Sequence, residues 1–493
     1  MNLFESFLKV SARVPAKIAF LGEAGAISYD KMRADTEAMD RQLSELGVRQ
    51  GDRVAISSVT PYLVLTIELA CSLRGATIVF LESYISPSTQ EWEAAIAGSA
   101  AHWAVTGAQG GKGVWKRTAI PHDAADANAS TSRPVLLHAR TSGTTGHPKG
   151  VCLAEEALLQ AIHNTIQISN CSATSKGMLL YEPLGLISQI CAFSTLLSGA
   201  TLVDGLAVAR TPEGIPAFIE RHRVTHAVLV PQHISAALAD PLFSQRDLSC
   251  LEVVMYGAAP VTQALIQRAR TLIPCRWLQC YGMTETTGPA CWLGAEEQSL
   301  AGYSVGKAAP GCTLQIRDGD SGTPLPPGQD GEIFIGGALL MEGYWDTTLN
   351  RPVRGEEFVE GWLSTGDLGH LTADNHLILK GRAGEGIVST LGYTIHPSEI
   401  EDALRDLPDI VDVAALGYRL NDVGVVPIAV CHIRGNGHDV ATSIKEALRA
   451  KLDHSKHPSY IVVSHQPLPR GSNGKVQKGR LKEMTKAADL IPV

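Results

Sequence analysis

The stretch Thr141-Ser142-Gly143-Thr144-Thr145-Gly146-His147-Pro148-Lys149-Gly150 decides how the rest of the chain is read. It follows an apolar run at residues 135–139, so it sits where a buried strand hands the chain to a loop. Its glycines let backbone N–H groups approach phosphate oxygens closely, and the hydroxyls of Thr141, Ser142, Thr144 and Thr145 add donors. Lys149 supplies a point charge. The order departs from the P-loop pattern G-x-x-x-x-G-K-[ST], because Gly150 follows the lysine and no hydroxyl follows to hold magnesium. Composition alone also allows a plain Gly/Thr surface loop; the ordered sequence favours a phosphate grip.

Outward from this loop, short β-rich runs alternate with helical patterns. Residues 53–57, 77–81, 102–106, 225–230 and 251–255 read as further buried strands, and 62–73, 90–97, 154–168 and 262–272 have helical periodicity. The alternation predicts an α/β fold of parallel-rich sheets covered by helices, with ligands at the carboxyl ends of strands. Over about 300–380, Gly, Pro and Asp punctuate short strands at 314–317, 332–335 and 377–380, which predicts a β-rich subdomain. Gly381-Arg382-Ala383-Gly384-Glu385-Gly386 places three glycines in six residues, a composition suited to a hinge. Beyond it, helices at 397–407 and 440–452 and strands at 410–416 and 426–433 make a small α+β domain. The expected organisation is a core at 1–380, a hinge at 381–386 and a C-terminal domain at 387–493.

Bulk properties exclude several classes. The 493 residues exceed what one hydrophobic core usually supports. A net charge of -8 and a pI near 6.1 argue against a nucleic-acid or anionic-membrane partner. The N-terminus lacks a basic segment followed by an apolar run, and no stretch approaches the ~20 apolar residues of a membrane helix, so no membrane span and a cytoplasmic location are expected. The ten cysteines form no Cys-x-x-Cys pair and no zinc-spaced cluster, so buried free thiols are expected, Cys152, Cys171, Cys191, Cys250 and Cys431 among them.

Three further segments carry chemistry. In Tyr281-Gly282-Met283-Thr284-Glu285-Thr286, the tyrosine offers a stacking face for a base, Thr284 a hydroxyl for phosphate and Glu285 a hard oxygen ligand for Mg²⁺. Taken alone, a Tyr-Gly turn with an exposed Glu reads equally well. In Ser364-Thr365-Gly366-Asp367, with Arg382 fifteen residues on, a carboxylate near a strand end suits a ribose hydroxyl pair. A turn residue or helix cap is the alternative for Asp367. Residues 470–482 hold five basic side chains and no acid, either a solvated face or, given the Ser472-Asn473-Gly474 turn, a presentation of Lys475.

In this order the motifs resemble the adenylate-forming superfamily of acyl-CoA synthetases, adenylation domains and luciferases, over nearly the whole chain. Gly51-Asp52-Arg53-Val54, Tyr256-Gly257-Ala258-Ala259-Pro260, Gly331-Glu332-Ile333, Gly343-Tyr344-Trp345, Pro397-Ser398-Glu399-Ile400-Glu401 and Asn473-Gly474-Lys475-Val476 extend it. The resemblance implies that a carboxylate attacks the α-phosphate of ATP, releasing pyrophosphate, and that a thiol of CoA or of a phosphopantetheine carrier protein then takes the acyl group. It implies that Thr141, Ser142, Gly143, Thr144, Thr145 and Lys149 hold the β- and γ-phosphates. Gly257, Ala258, Ala259, Tyr281 and Gly282 would hold the adenine side, Thr284 the α-phosphate, Glu285 the Mg²⁺, and Asp367 with Arg382 the ribose. Lys475, on a mobile C-terminal lid, would be the catalytic lysine.

Two departures bear on the second step. The hinge position after the Gly-Arg pair, usually Asp or Lys, falls on Gly384 or Glu385, and the segment 387–392 is one residue longer than usual. An amine or other non-thiol acceptor is therefore the alternative, with a non-catalytic nucleotide-binding relative more remote. The pocket in relatives corresponds to 181–190, 226–232, 256–259 and 281–292. Here 182–189 has no Asp to pair an α-ammonium group, and Gly185-Leu186 replaces the aromatic-His gate. A neutral aryl or medium acyl acid is expected. His226 and His233 are either pocket residues or structural histidines.

Overall fold

The structure is a computed structural model that describes all residues except 24, 58, 82–88, 110–111, 121–132, 142–148, 210, 212–213, 259–260, 262, 298–303, 320, 383–386, 389–393, 421–423, 435–436, 453–455 and 471–474. Of the expected site residues, Ser142, Gly143, Thr144, Thr145 and Ala259 lie outside the described residues, as do the hinge positions Gly384 and Glu385 and most of the lengthened segment.

The α/β expectation is met by two parallel-rich sheets. In one, Val135–Thr141, Thr77–Phe80, Arg53–Ile56 and Trp103–Gln109 run parallel, extended antiparallel at both edges by Lys112–Arg117 on one side and by Lys149–Ala154, Gly343–Asp346 and Arg351–Val353 on the other. In the other, Ile18–Gly22, Thr201–Asp204, Lys176–Leu179, His226–Leu229, Val253–Gly257 and Arg276–Met283 run parallel. Gly288–Leu293 then turns back antiparallel on Arg276–Met283.

These strands are runs of Val, Ile, Leu and Ala with little alternation, as sheets covered on both faces require. Arg53–Ile56 and Thr77–Phe80 are buried at every position. The helix Pro61–Arg74 between them is buried through most of its length, with Pro at its start and left-handed Gly75 at its end. The helix Leu186–Leu197 shares its core with Pro61–Arg74, so one apolar cluster joins the two sheets.

A third sheet is antiparallel: Cys312–Arg317, Gly331–Gly337, Trp362–Leu371 and Phe358–Val359 in order, with Leu377–Arg382 also pairing Trp362–Leu371. The C-terminal segment has a four-stranded sheet of its own, Ile410–Leu420, Gly424–Ile433, Tyr460–Ser464 and Ile491–Pro492. The helices Pro397–Arg405 and Gly437–Lys451 bury Ile400, Leu404, Ile444 and Leu448 against it in a separate apolar cluster. All ten cysteines are free thiols, buried or half-buried. Among the described residues no helix is long and apolar enough to cross a membrane.

Candidate active site

The strands flanking residues 142–148 pair with each other, Thr141 opposite Lys149 and Arg140 opposite Gly150. The second of them, Lys149–Ala154, was not expected from the sequence. Gly150 is required by close approach: a Cβ there would overlap the imidazole of buried His138 on the first strand. With Gly150 fixed against that ring, Lys149 emerges at the strand end, exposed, its ammonium 4.6 Å from the ring centre of Tyr344. Among the described residues Lys149 makes no ion pair, so its charge is not committed to a carboxylate.

Tyr281 and Gly282 lie in the strand Arg276–Met283, and Thr284–Thr286 forms a single 3-10 turn at its end. The alternative of an exposed glutamate on a turn does not hold, because Glu285 is buried. Its Oε1 accepts a hydrogen bond from the Tyr344 hydroxyl at 2.8 Å, and its carbonyl accepts from Met341 N at 2.9 Å. Neither Oε2 of Glu285 nor the Thr284 hydroxyl is hydrogen-bonded to a described residue. Four residues before Glu285, the Tyr281 hydroxyl donates to Asp367 Oδ2 at 2.7 Å. Burial first, and then the Asp367 charge, pushes the Tyr281 phenol well above its ordinary range, so it stays a donor.

Asp367 is neither a turn residue nor a cap. It lies within the strand Trp362–Leu371, directly opposite Arg382 on Leu377–Arg382, with Arg382 Nε 3.9 Å from its Oδ1. The Thr365 hydroxyl accepts from Asp367 N at 3.0 Å and donates to Ile333 O at 2.8 Å, which pins that part of the strand. Gly257 ends the strand Val253–Gly257 opposite Cys280, and a Cβ there would overlap the Cys280 carbonyl. Ala258 follows with φ at 63°, the left-handed region, which turns the chain sharply beside Tyr281.

Lys475 is on the C-terminal unit, exposed, beside Val476, whose backbone bridges to Arg470. The basic run around it is not one solvated face: Arg470 pairs with Asp412, and Lys478 Nζ lies 3.2 Å from Glu401. His226 is a structural histidine, its ring nitrogens bonded to Thr225 Oγ1 at 2.8 Å and Ser169 O at 3.1 Å. His233 stacks on Tyr181 and hydrogen-bonds its hydroxyl through Nδ1 at 3.0 Å. The sequence reading gave no role to Tyr344, although it named the Gly343-Tyr344-Trp345 motif; nothing local marks which carboxylate a tyrosine will reach.

The structure thus assembles two clusters, Lys149–Tyr344–Glu285 and Tyr281–Asp367–Arg382, at the two ends of one strand-and-turn segment, 281–285. The chain is 34% identical over 354 residues to an indoleacetate–CoA ligase of Aromatoleum aromaticum, covering 71% of this chain and 67% of that one. It is 29% identical over 483 residues to a feruloyl-CoA synthase of an Amycolatopsis species, covering 93% and 94%. The o-succinylbenzoate CoA synthetase of Bacillus subtilis, solved with its acyl-adenylate intermediate, shares the fold with a TM-score of 0.80 at 23% identity over 98% of both chains. Residues 7–345 match the family described as AMP-binding enzyme, a span that holds Lys149, Glu285 and Tyr344, and the chain belongs to that family.

Proposed function

We infer that this protein activates a carboxylic acid as its acyl-adenylate and transfers the acyl group to the thiol of coenzyme A. The observation that carries this reading is the placement of the two clusters on one short segment. A nucleotide laid along 281–285 meets a carboxylate–arginine pair at one end and a carboxylate with a nearby uncommitted cation at the other. That polarity suits a ribose at the first and a polyphosphate at the second.

In the first step a carboxylate oxygen of the acid attacks the α-phosphorus. The bond to the bridging oxygen breaks, and pyrophosphate leaves with that bond's electron pair. Lys149 is positioned to offset charge on the leaving group, and Thr284 offers a hydroxyl to the α-phosphate. Asp367 and Arg382 orient the ribose, and Gly257, Ala258 and Tyr281 bound the adenine side. Lys475 brings a cation between two anions that must meet; losing such a preorganised group typically costs ~10²–10³-fold in rate. In the second step the thiol sulfur attacks the acyl carbonyl, the bond to the AMP phosphate oxygen breaks with its electron pair leaving on AMP, and the thiol proton passes to solvent.

Magnesium fits this site as an ion shared between protein and nucleotide oxygens. Among the described residues no group of three His, Cys, Asp or Glu could hold a metal ion. Glu285, with Oε2 unbonded to any described residue, would therefore hold Mg²⁺ together with phosphate oxygens, the usual mode for this ion. When bound, the ion offsets phosphate charge.

For the acid we propose a neutral aryl or arylalkyl carboxylate. The segment at 182–189 has no aspartate for an α-ammonium group, and the relatives' names specify indoleacetate and feruloyl substrates. Coenzyme A is the preferred acceptor over a phosphopantetheine carrier protein, because the relatives matched are CoA ligases or synthases. We place the reaction in the cytoplasm, which suits ten free cysteines. The test is AMP release from ATP with an aryl-acid panel, given CoA, a pantetheinylated carrier protein or amines. Acceleration by CoA is expected; acceleration by amines alone would replace the thioester step with amide formation.

A further inference from the structure

The motif Gly343-Tyr344-Trp345 has no role in the steps above, yet Tyr344 touches two of the residues that do. It lies on Gly343–Asp346, which pairs antiparallel with Lys149–Ala154, Tyr344 opposite Val151 and Gly343 opposite Cys152. Its hydroxyl donates to Glu285 Oε1 at 2.8 Å, and its ring lies 4.6 Å from the Lys149 ammonium.

The segment that carries it is tied down on several sides. Met341 N donates to Glu285 O at 2.9 Å and Glu342 N to Cys152 O at 2.8 Å. The Glu342 carboxylate is gripped by Arg133 at 2.7 Å, and Arg133 also donates to Ala338 O and Leu340 O. Next along the strand, Trp345 packs against the Arg53 guanidinium at 4.6 Å and the His138 ring at 5.7 Å. The phenol is thus delivered to Glu285 by a rigid strand.

We propose that Tyr344 is a positioning residue for adenylation, holding Glu285 and Lys149 apart and each in the orientation that magnesium and the leaving phosphates need. This rests on the assignment of Glu285 to the metal and Lys149 to the phosphates. The physical need is specific. A lysine and a glutamate on neighbouring elements tend to pair, and a closed pair would occupy both groups that the ligand requires. One tyrosine prevents this from both sides. Its hydroxyl satisfies one carboxylate oxygen and leaves the other without a bond to any described residue. Its ring face gives the ammonium a resting place that a phosphate can displace, because such a contact is weak at an exposed site.

The experiment is calorimetric titration, without acid substrate, of ATP in chelator and of ATP with magnesium, on the wild type, Tyr344→Phe, Tyr344→Leu and Glu285→Gln. Tyr344→Phe keeps the ring and deletes the hydroxyl. It is expected to weaken binding of the magnesium complex about tenfold, the scale of one charge-assisted hydrogen bond, and to leave metal-free ATP binding within about twofold of wild type. Tyr344→Leu is expected to weaken both, since Lys149 also loses its seat. If Tyr344→Phe binds the magnesium complex like wild type, or weakens both forms equally, the positioning role is overturned. If Glu285→Gln keeps wild-type magnesium dependence, the metal assignment itself fails. Loss in Glu285→Gln with none in Tyr344→Phe refutes this proposal alone.

Discussion

Asp367 accepts the hydroxyl of Tyr281 at 2.7 Å and faces Arg382 at 3.9 Å, so one carboxylate is oriented by a tyrosine and by a guanidinium. Removing the tyrosine hydroxyl leaves Oδ2 without that donor and loosens the orientation of the carboxylate. Tyr281→Phe is expected to raise the KM for ATP about three- to tenfold with kcat within about twofold, the scale of one hydrogen bond to a charged group. Steady-state exchange kinetics measure this, and an unchanged KM would remove Tyr281 from the nucleotide site. At this scale much was legible. Asp367 and Arg382 were singled out from residue type and spacing, and they prove to be register partners. The Tyr281 ring suits stacking on a base, but its hydroxyl is committed to a residue 86 positions away. Such a pairing is decided by which strands become neighbours, and no local pattern records it.

At the scale of elements, the hairpin Val135–Thr141 and Lys149–Ala154 shows what local pattern does and does not carry. The first strand is a plain apolar run ahead of a glycine-rich loop. The second passes directly into the helix Glu155–Ser169 with no intervening turn residue, so its strand character merged with the helical pattern. In the sequence Gly150 belongs to the glycine-rich stretch and breaks the P-loop pattern. The fold gives another reason for it, because its missing side chain is the space filled by the His138 imidazole. Burial, reinforced by the Arg140 and Arg53 charges, pushes that imidazole's pKa down to about 3, so a neutral ring packs there. Gly150→Ala is expected to destabilise the protein by about 1–3 kcal/mol, the cost of overpacking, and to weaken ATP binding by displacing Lys149. Gly98→Ala, at a helical glycine where an added Cβ meets nothing within 4 Å, is the control and should not lower the melting temperature. Equal melting temperatures for Gly150→Ala and wild type would refute the packing argument.

At the scale of the molecule, the alternation of strands and helices established an α/β fold but not how many sheets it makes. Periodicity labels a segment as a strand; it does not name its partner. Strands from residues 53–141 enter one sheet, whereas those from 176–283 enter another, joined by Ile18–Gly22 from near the start of the chain. The C-terminal unit has its own sheet and apolar cluster and carries Lys475, while Glu285, Asp367 and Lys149 belong to the rest of the molecule. The proposed chemistry therefore needs the two parts to act on one substrate. Acid-dependent ATP–pyrophosphate exchange, measured on the wild type and on Lys475→Ala with an aryl-acid panel, tests this most directly. Exchange is expected only when a suitable acid is present, with a loss of ~10²–10³-fold in Lys475→Ala and ATP binding preserved in that variant. Exchange that no acid stimulates, or near-normal exchange by Lys475→Ala, would contradict the proposed chemistry.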